Sequence, residues 1–196
     1  MERKGEIFRK TSETEVNLSI NLDGVGASDL ESSIPFLDHM LNLFARHSGV
    51  DLFVRSHGDT QIDDHHLAED LGICLGDAVR QSLADKAGIN RYGAACIPMD
   101  ETLCNAALDI SGRPYLVYRT PLRDRKIGGF DSSLLREFFK AFTDHAGVTL
   151  HIHIPYGRNS HHMAEAMFKA FAHAFREAVT RRNEASCVLS TKGHLD

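Results

Sequence analysis

Residues 63–70 read DDHHLAED, and residues 159–166 read NSHHMAEA. The shared phrase recurs ninety-six residues along, as His65-His66-x-Ala68-Glu69 and His161-His162-x-Ala164-Glu165. The matches continue outward in the same order. Ala78 and Arg80 correspond to Ala174 and Arg176, and HSGVDLFV (47–54) corresponds to HAGVTLHI (145–152). FLDHMLNLFA (36–45) lies over LLREFFKAFT (134–143), and ETEVNLSINLDG (13–24) over ETLCNAALDISG (101–112). Self-similarity kept in the same order over most of a chain, with only small gaps, marks a duplicated unit. The chain therefore divides into a first half, 1–91, a second half, 92–182, and a polar tail, 183–196, with the join near KAGINRY (86–92).

Hydrophobic periodicity gives each half the same plan. Val16, Leu18, Ile20 and Leu22 alternate strictly, as in a half-buried strand that ends at Asp23-Gly24. Ser33 is placed to cap a helix that has Pro35 in its first turn. Leu37, Met40, Leu41 and Phe44 form its apolar stripe, and Gly49 stops it. Val50, Leu52 and Val54 begin another strand, and Asp64 caps a helix running to about Asp85. The second half repeats this with Leu135, Phe138, Phe139 and Phe142 on a helix, and with Val148, Leu150, Ile152 and Ile154 on a strand. Asn159 or Ser160 then caps a long helix carrying Met163, Met167, Phe171 and Phe175, and an extra strand is expected at Pro114–Arg119. The fold class is α+β, internally duplicated, each half a roughly four-stranded sheet with two helices on one face.

The histidine pairs open helices. Neighbouring helical residues point about 100° apart, so adjacent imidazoles do not readily grip one ion. A glutamate three or four residues on lies on the same side as either. The spacing therefore lets His66 and Glu69 chelate one cation while His65 reaches toward another, and lets His162 and Glu165 do the same while His161 reaches back. His39 and its counterpart Glu137 add one candidate ligand each. Two equivalent sets result: His39, His66, Glu69 and His161; and His65, Glu137, His162 and Glu165. Nitrogen and carboxylate donors without thiolate favour an octahedral first-row ion such as manganese, with zinc or iron as alternatives.

His47 recurs as His145 before a glycine and is a candidate substrate contact. His151 and His153 fall on the outward face of a strand. Arg91 and Arg113 at turns, Lys169 two helical turns after His161, and Ser190-Thr191-Lys192 in the tail are residue types that suit a phosphate.

Composition narrows the classes. The chain has 196 residues, 42% of them hydrophobic, enough for a core of ordinary size. Its formal net charge of −5 argues against a general nucleic-acid binder. No apolar run approaches the roughly 20 residues of a membrane span, and MERKGEIFRK at the start has no secretory apolar region. We read the protein as cytoplasmic, with no membrane partner. Cys74, Cys96, Cys104 and Cys187 form no C-x-x-C pair and read as buried reduced thiols.

The chain also resembles a known family, the imidazoleglycerol-phosphate dehydratases of histidine biosynthesis. The resemblance runs from about residue 6 to the tail and is carried in order by RKTSETEVNLSINLDG, PFLDHMLNLFARHSGVDL, GDTQIDDHHLAEDLGI, NRYGAACIPMDETL, DISGRPYLV, GRNSHHMAEAMFKAFAHAFREA and STKG. It implies two halves that each resemble the second domain of ribosomal protein S5. It also implies two manganese ions per active site and a homo-oligomer of twenty-four subunits with sites where subunits meet. The family's metal ligands fall on His39, His65, His66, Glu69, His161, His162 and Glu165. Its substrate contacts fall on Glu13, Arg91, Arg113, Lys169 and the Ser190–Lys192 segment of the tail. This sequence departs from the family in having Glu137 where a histidine is usual, and Leu189-Ser190-Thr191-Lys192 where Pro-Ser-Ser-Lys is common.

The implied activity is a lyase reaction, dehydration of imidazole glycerol phosphate to imidazole acetol phosphate. The expected route passes through a metal-bound imidazolate and a diazafulvene, with Glu13 as the candidate proton-transferring group. Two other readings of the same residues stay open: a dinuclear metallohydrolase of phosphate esters, and a non-catalytic scaffold whose ions only staple subunits together.

Overall fold

The computed structural model describes residues 2–122, 126–182 and 187–195. The first half runs β1 (Lys4–Lys10), β2 (Thr14–Asn21), β3 (Ser28–Glu31), α1 (Pro35–Ser48), β4 (Asp51–Gly58) and α2 (His65–Leu83). The second runs β5 (Tyr92–Met99), β6 (Thr102–Asp109), β7 (Tyr115–Arg119), a hairpin of β8 (Lys126–Ile127) and β9 (Phe130–Asp131), α3 (Leu134–Ala146), β10 (Thr149–Tyr156) and α4 (Ser160–Val179). The sheet orders are β1-β2-β4-β3 and β5-β6-β10-β7, which are the same order twice. In each, the last strand pairs parallel to its neighbour and the others pair antiparallel. The duplicated α+β plan is thus the observed one.

The halves cover each other. Helix α2 lies on β1 and β2, and α4 on β5 and β6, but α1 packs across onto α4 and α3 onto α2. The apolar stripes therefore meet at the middle of the molecule, where Phe44 stacks on Phe171 at 5.0 Å and Phe142 meets Phe171 edge-on at 5.0 Å. One continuous core results. The strand faces turned away from the helices stay open, and His151 and His153 are exposed there, while the alternating Leu150 and Ile152 are buried.

Helix ends follow local chemistry, with two corrections. Asn159 caps α4 as expected, its side chain accepting from the backbone N–H of His161 and His162. Gly49 ends α1 in the left-handed conformation, φ 80°. Ser33, however, does not cap α1. Ile34 occupies that position, and the Ser33 hydroxyl donates to the Ser56 carbonyl instead. Asp64 precedes α2 without a side-chain cap, and Asp63 accepts from the His65 N–H. Of the cysteines, Cys74 and Cys104 are buried, burial pushing both thiols up to about 12. Cys96 and Cys187 are exposed, against expectation. Strand alternation turns Cys96 outward. Of the tail, 183–186 and 196 lie outside the described residues.

Two glycines let each large helix reach its sheet. A Cβ on Gly5 would sit 2.0 Å from the Ala78 carbonyl oxygen, and one on Gly93 would sit 2.0 Å from that of Ala174. These are equivalent positions of the two halves. Gly5→Ala and Gly93→Ala should each destabilise by about 1–3 kcal/mol through overpacking. Thermal unfolding should show matched losses of several degrees. An unchanged melting temperature in either variant would contradict the close approach.

Candidate metal centre and substrate site

The seam between α1 and α4 brings three candidate ligands together. Glu165 Oε1 lies 3.0 Å from His39 Nε2 and 3.1 Å from His161 Nε2. Lys169 Nζ donates to Glu165 Oε2 at 2.7 Å. Burial alone would raise the Glu165 pKa, but hydrogen bonds from Lys169, His39 and His161 overcome it and bring the carboxyl down to about 2. Two imidazole nitrogens and a carboxylate whose ligand atoms all lie within 4.8 Å of one another make a donor set that fits a divalent first-row cation.

The pairing within each motif differs from the expected one. Glu69 and Glu165 face the first histidine of their pairs, four residues back: His65 Nε2 to Glu69 at 3.9 Å and His161 Nε2 to Glu165 at 3.1 Å. Side chains on a helix tilt toward its N-terminus, so the i,i+4 partner lies most nearly overhead. His66 and His162 turn away. His66 Nδ1 lies 3.0 Å from Asp59 Oδ2 and 3.7 Å from Glu13 Oε2. His162 Nδ1 lies 2.8 Å from Glu101 Oε2. His39 also joins Glu165 of the opposite half rather than Glu69 of its own, because α1 packs on α4. Glu137 lies on α3, which packs on α2, but its nearest basic partner is Arg136 at 3.1 Å. Among the described residues, no convergent donor group includes Glu137, His65 or Glu69.

The phosphate-suited residues gather elsewhere. A cleft of about 690 Å³ is lined by Arg91, Arg113 and the tail residues Ser190, Thr191 and Lys192. Arg91 holds the tail there: its guanidinium grips both Asp109 oxygens at 2.7 and 3.0 Å and donates to the Leu189 carbonyl at 2.7 Å. The Arg91 N–H reaches the Ala178 carbonyl near the C-terminal end of α4. His161 sits near the other end of that 20-residue helix, about 25 Å away at 1.5 Å per residue. Glu13 is remote from the cleft as well, since β1 leads away from Arg3, which precedes it and donates to the Val179 carbonyl at 2.5 Å, up to the turn that carries Glu13. Lys169 stays with Glu165 and does not line the cleft. His47, near the end of α1, sits 3.3 Å from His173 on α4. Its pKa is lowered by burial first, then by His173 and Lys169.

With this geometry in hand, comparison with known proteins is decisive. A family profile described as imidazoleglycerol-phosphate dehydratase matches residues 32–175. The chain belongs to the imidazoleglycerol-phosphate dehydratase family. It is 56% identical over 194 residues to the imidazoleglycerol-phosphate dehydratase of Syntrophus aciditrophicus, covering 98% of each chain, and 54% identical over 195 residues to that of Pelobacter propionicus, covering 100% of each. Its fold superposes on the crystal structure of the Staphylococcus aureus dehydratase with a TM-score of 0.84 at 41% identity, over 91% of this chain and 99% of that one. The Pyrococcus furiosus enzyme, solved in complex with (S)-C348, gives 0.83 at 36% identity, over 96% and 100%. Membership makes this protein a hydro-lyase of histidine biosynthesis. The metallohydrolase and inert-scaffold readings fall away.

Sequence reasoning missed Glu101, Asp59 and Lys126. Glu101 was within reach, because it is the counterpart of Glu13 in the repeat. Asp59 and Lys126 have no such signal. Lys126, on the β8–β9 hairpin, lines clefts beside both His65 and His161.

The Glu101 hydrogen bond raises the His162 pKa above its ordinary 6.5. A raised pKa contributes stability that is full below 6.5 and lost as pH rises through the raised value. In the metal-free protein, Glu101→Gln should flatten the fall of melting temperature on that alkaline side. An unaltered pH profile would show that the pair carries no linked proton.

Proposed function

We propose that the protein dehydrates imidazole glycerol phosphate using two manganese ions per active site, and that each site is completed between copies of the chain in a cytoplasmic homo-oligomer, twenty-four subunits being the assembly expected from the family resemblance. The observation that carries the reading is the separation of the parts. The imidazole-rich seam and the Arg91–Lys192 cleft lie at opposite ends of α4, farther apart than one small phosphorylated substrate can span. A second copy that sets its cleft against this seam removes the difficulty.

Under this reading His39, His161 and Glu165 hold one cation. His65, Glu69 and Glu137, with His66 and His162 supplied across an interface, provide the remaining donors. Bound cations would supply positive charge that favours loss of the substrate's imidazole N–H proton. The chain does the rest. Lys169 holds Glu165 ionised in the seam. Arg113, Ser190, Thr191 and Lys192 receive the phosphate, with Arg91 pinning the tail that carries three of them. Fixing the phosphate aligns the carbon chain for reaction. Glu13 is the proton carrier at the C–H carbon. Its side chain is 53% exposed and its nearest basic partner is 3.7 Å away, so it is free to approach substrate. A positioned acid–base group contributes roughly 10²–10⁴-fold.

Complementation tests the reading. Glu13→Gln and Lys192→Ala should each lose at least about 100-fold in turnover, while chelation should abolish activity and added manganese restore it. Co-assembling the two variants should recover part of the activity, since mixed contacts pair an intact Glu13 with an intact Lys192. No recovery in verified mixed oligomers would place both residues in a site made by one chain and refute the proposal.

A further inference from the structure

The repeat makes Glu13 and Glu101 counterparts, yet the structure uses them differently. Glu101 is locked. Its Oε2 faces His162 Nδ1 at 2.8 Å, and its Oε1 accepts from the backbone N–H of Asn159 at 2.8 Å, from that of Arg158 at 3.1 Å, and from the Thr102 hydroxyl at 3.1 Å. Glu13 stands 3.7 Å from His66 Nδ1, and the place beside that nitrogen is taken by Asp59 Oδ2 at 3.0 Å. Asp59 is tethered there by its own N–H, which donates to the Glu13 carbonyl at 3.1 Å. Its side chain is 13% exposed, and its other oxygen, Oδ1, is buried without a hydrogen-bond partner. Burying a carboxylate with one oxygen unsatisfied is costly. Among the described residues, the side-chain hydrogen bond made in return is the one to His66.

The same ring atom, Nδ1, is engaged in both halves, by carboxylates from non-equivalent places in the repeat. A histidine whose Nδ1–H is fixed by a carboxylate presents a lone pair at Nε2, with its tautomer and ring plane set. The remaining seam histidines, His39 and His161, likewise meet Glu165 through Nε2. Glu13, Asp59 and His66 also come within 4.8 Å of one another, which raises the rival possibility that they ligate a cation themselves. The second half argues against it. There the contact with Nδ1 recurs with one carboxylate whose other oxygen is saturated by backbone N–H groups.

We infer that Asp59 and Glu101 are positioning residues that orient His66 and His162 for coordination through Nε2, and that Asp59 has taken over in the first half the task Glu101 keeps in the second, leaving Glu13 free for substrate. The inference rests on the metal reading proposed above. Neither residue touches the reacting atoms. Each acts through the imidazole it holds.

Manganese titration of the full assembly, with free ion followed by electron paramagnetic resonance, tests this without any turnover measurement. Asp59→Ala and Glu101→Ala should each weaken manganese binding about 10–100-fold while full stoichiometry returns at saturation. Asp59→Asn and Glu101→Gln keep an acceptor for Nδ1–H and should recover most of the affinity, which a merely structural role would not predict. Glu13→Gln should bind manganese as the parent does. Three results would overturn the inference: affinity unchanged in the alanine variants, an ion lost from Asp59→Ala that no manganese concentration restores, or a Glu13→Gln variant weakened as much as Asp59→Ala. A parent protein that binds no manganese would bring down the proposed function along with it, whereas those three results leave the function standing.

Discussion

Each half of this chain makes an apolar helix face that only the other half can cover. Helices α1 and α3 reach across the molecule to α4 and α2, and Phe44, Phe142 and Phe171 meet in the join. A fully buried aromatic side chain contributes roughly 1.5–3 kcal/mol relative to exposure, so the seam is favoured strongly enough to hold polar groups at its rim. It is at this rim that Glu165, from one half, comes within hydrogen-bonding distance of His39 from the other, 126 residues away. This cluster of candidate ligands is a consequence of how the duplicate closes on itself.

The two halves are equivalent in backbone and unequal in chemistry. Glu165 is held by Lys169 and is nearly buried, at 12% exposure, whereas Glu69 is 49% exposed with His65 at 3.9 Å. The counterpart of Lys169 in the first half is Ile73, so no cation draws Glu69 inward. Opposite His39 stands Glu137, which turns to Arg136. The first-half carboxylates therefore stay apart and exposed, where Glu165 is drawn into the seam. Duplication supplied two copies of one arrangement, and substitutions at a few positions gave them different tasks.

Much of the fold was legible because it rests on periodicity. The stripes of Leu37–Phe44 and Leu135–Phe142 placed two helices, strict alternation placed β2 and β10, and the repeat transferred each assignment to its partner. Strand β1 was not assigned, because Lys4–Lys10 pairs at a sheet edge and carries mostly charged residues; β3 is four exposed or half-exposed residues. At the site, residue identities could be read, but not their grouping. Which histidine of a pair faces the glutamate depends on side-chain tilt, and which glutamate meets His39 depends on the packing of α1 on α4. Asp59 was invisible for a further reason. It works from a loop before α2 and has no equivalent in the repeat, so neither period nor symmetry points to it.

Under the proposed function, paired cations are gripped where the duplicated halves close and where copies of the chain meet. Crystals grown with manganese, with anomalous scattering measured at the manganese edge, test it most directly. Two strong peaks per chain are expected, one within bonding distance of His39, His161 and Glu165, and one completed by imidazoles of a neighbouring copy. A well-ordered crystal with no peak among these imidazoles, or with both peaks enclosed by a single chain, would contradict it.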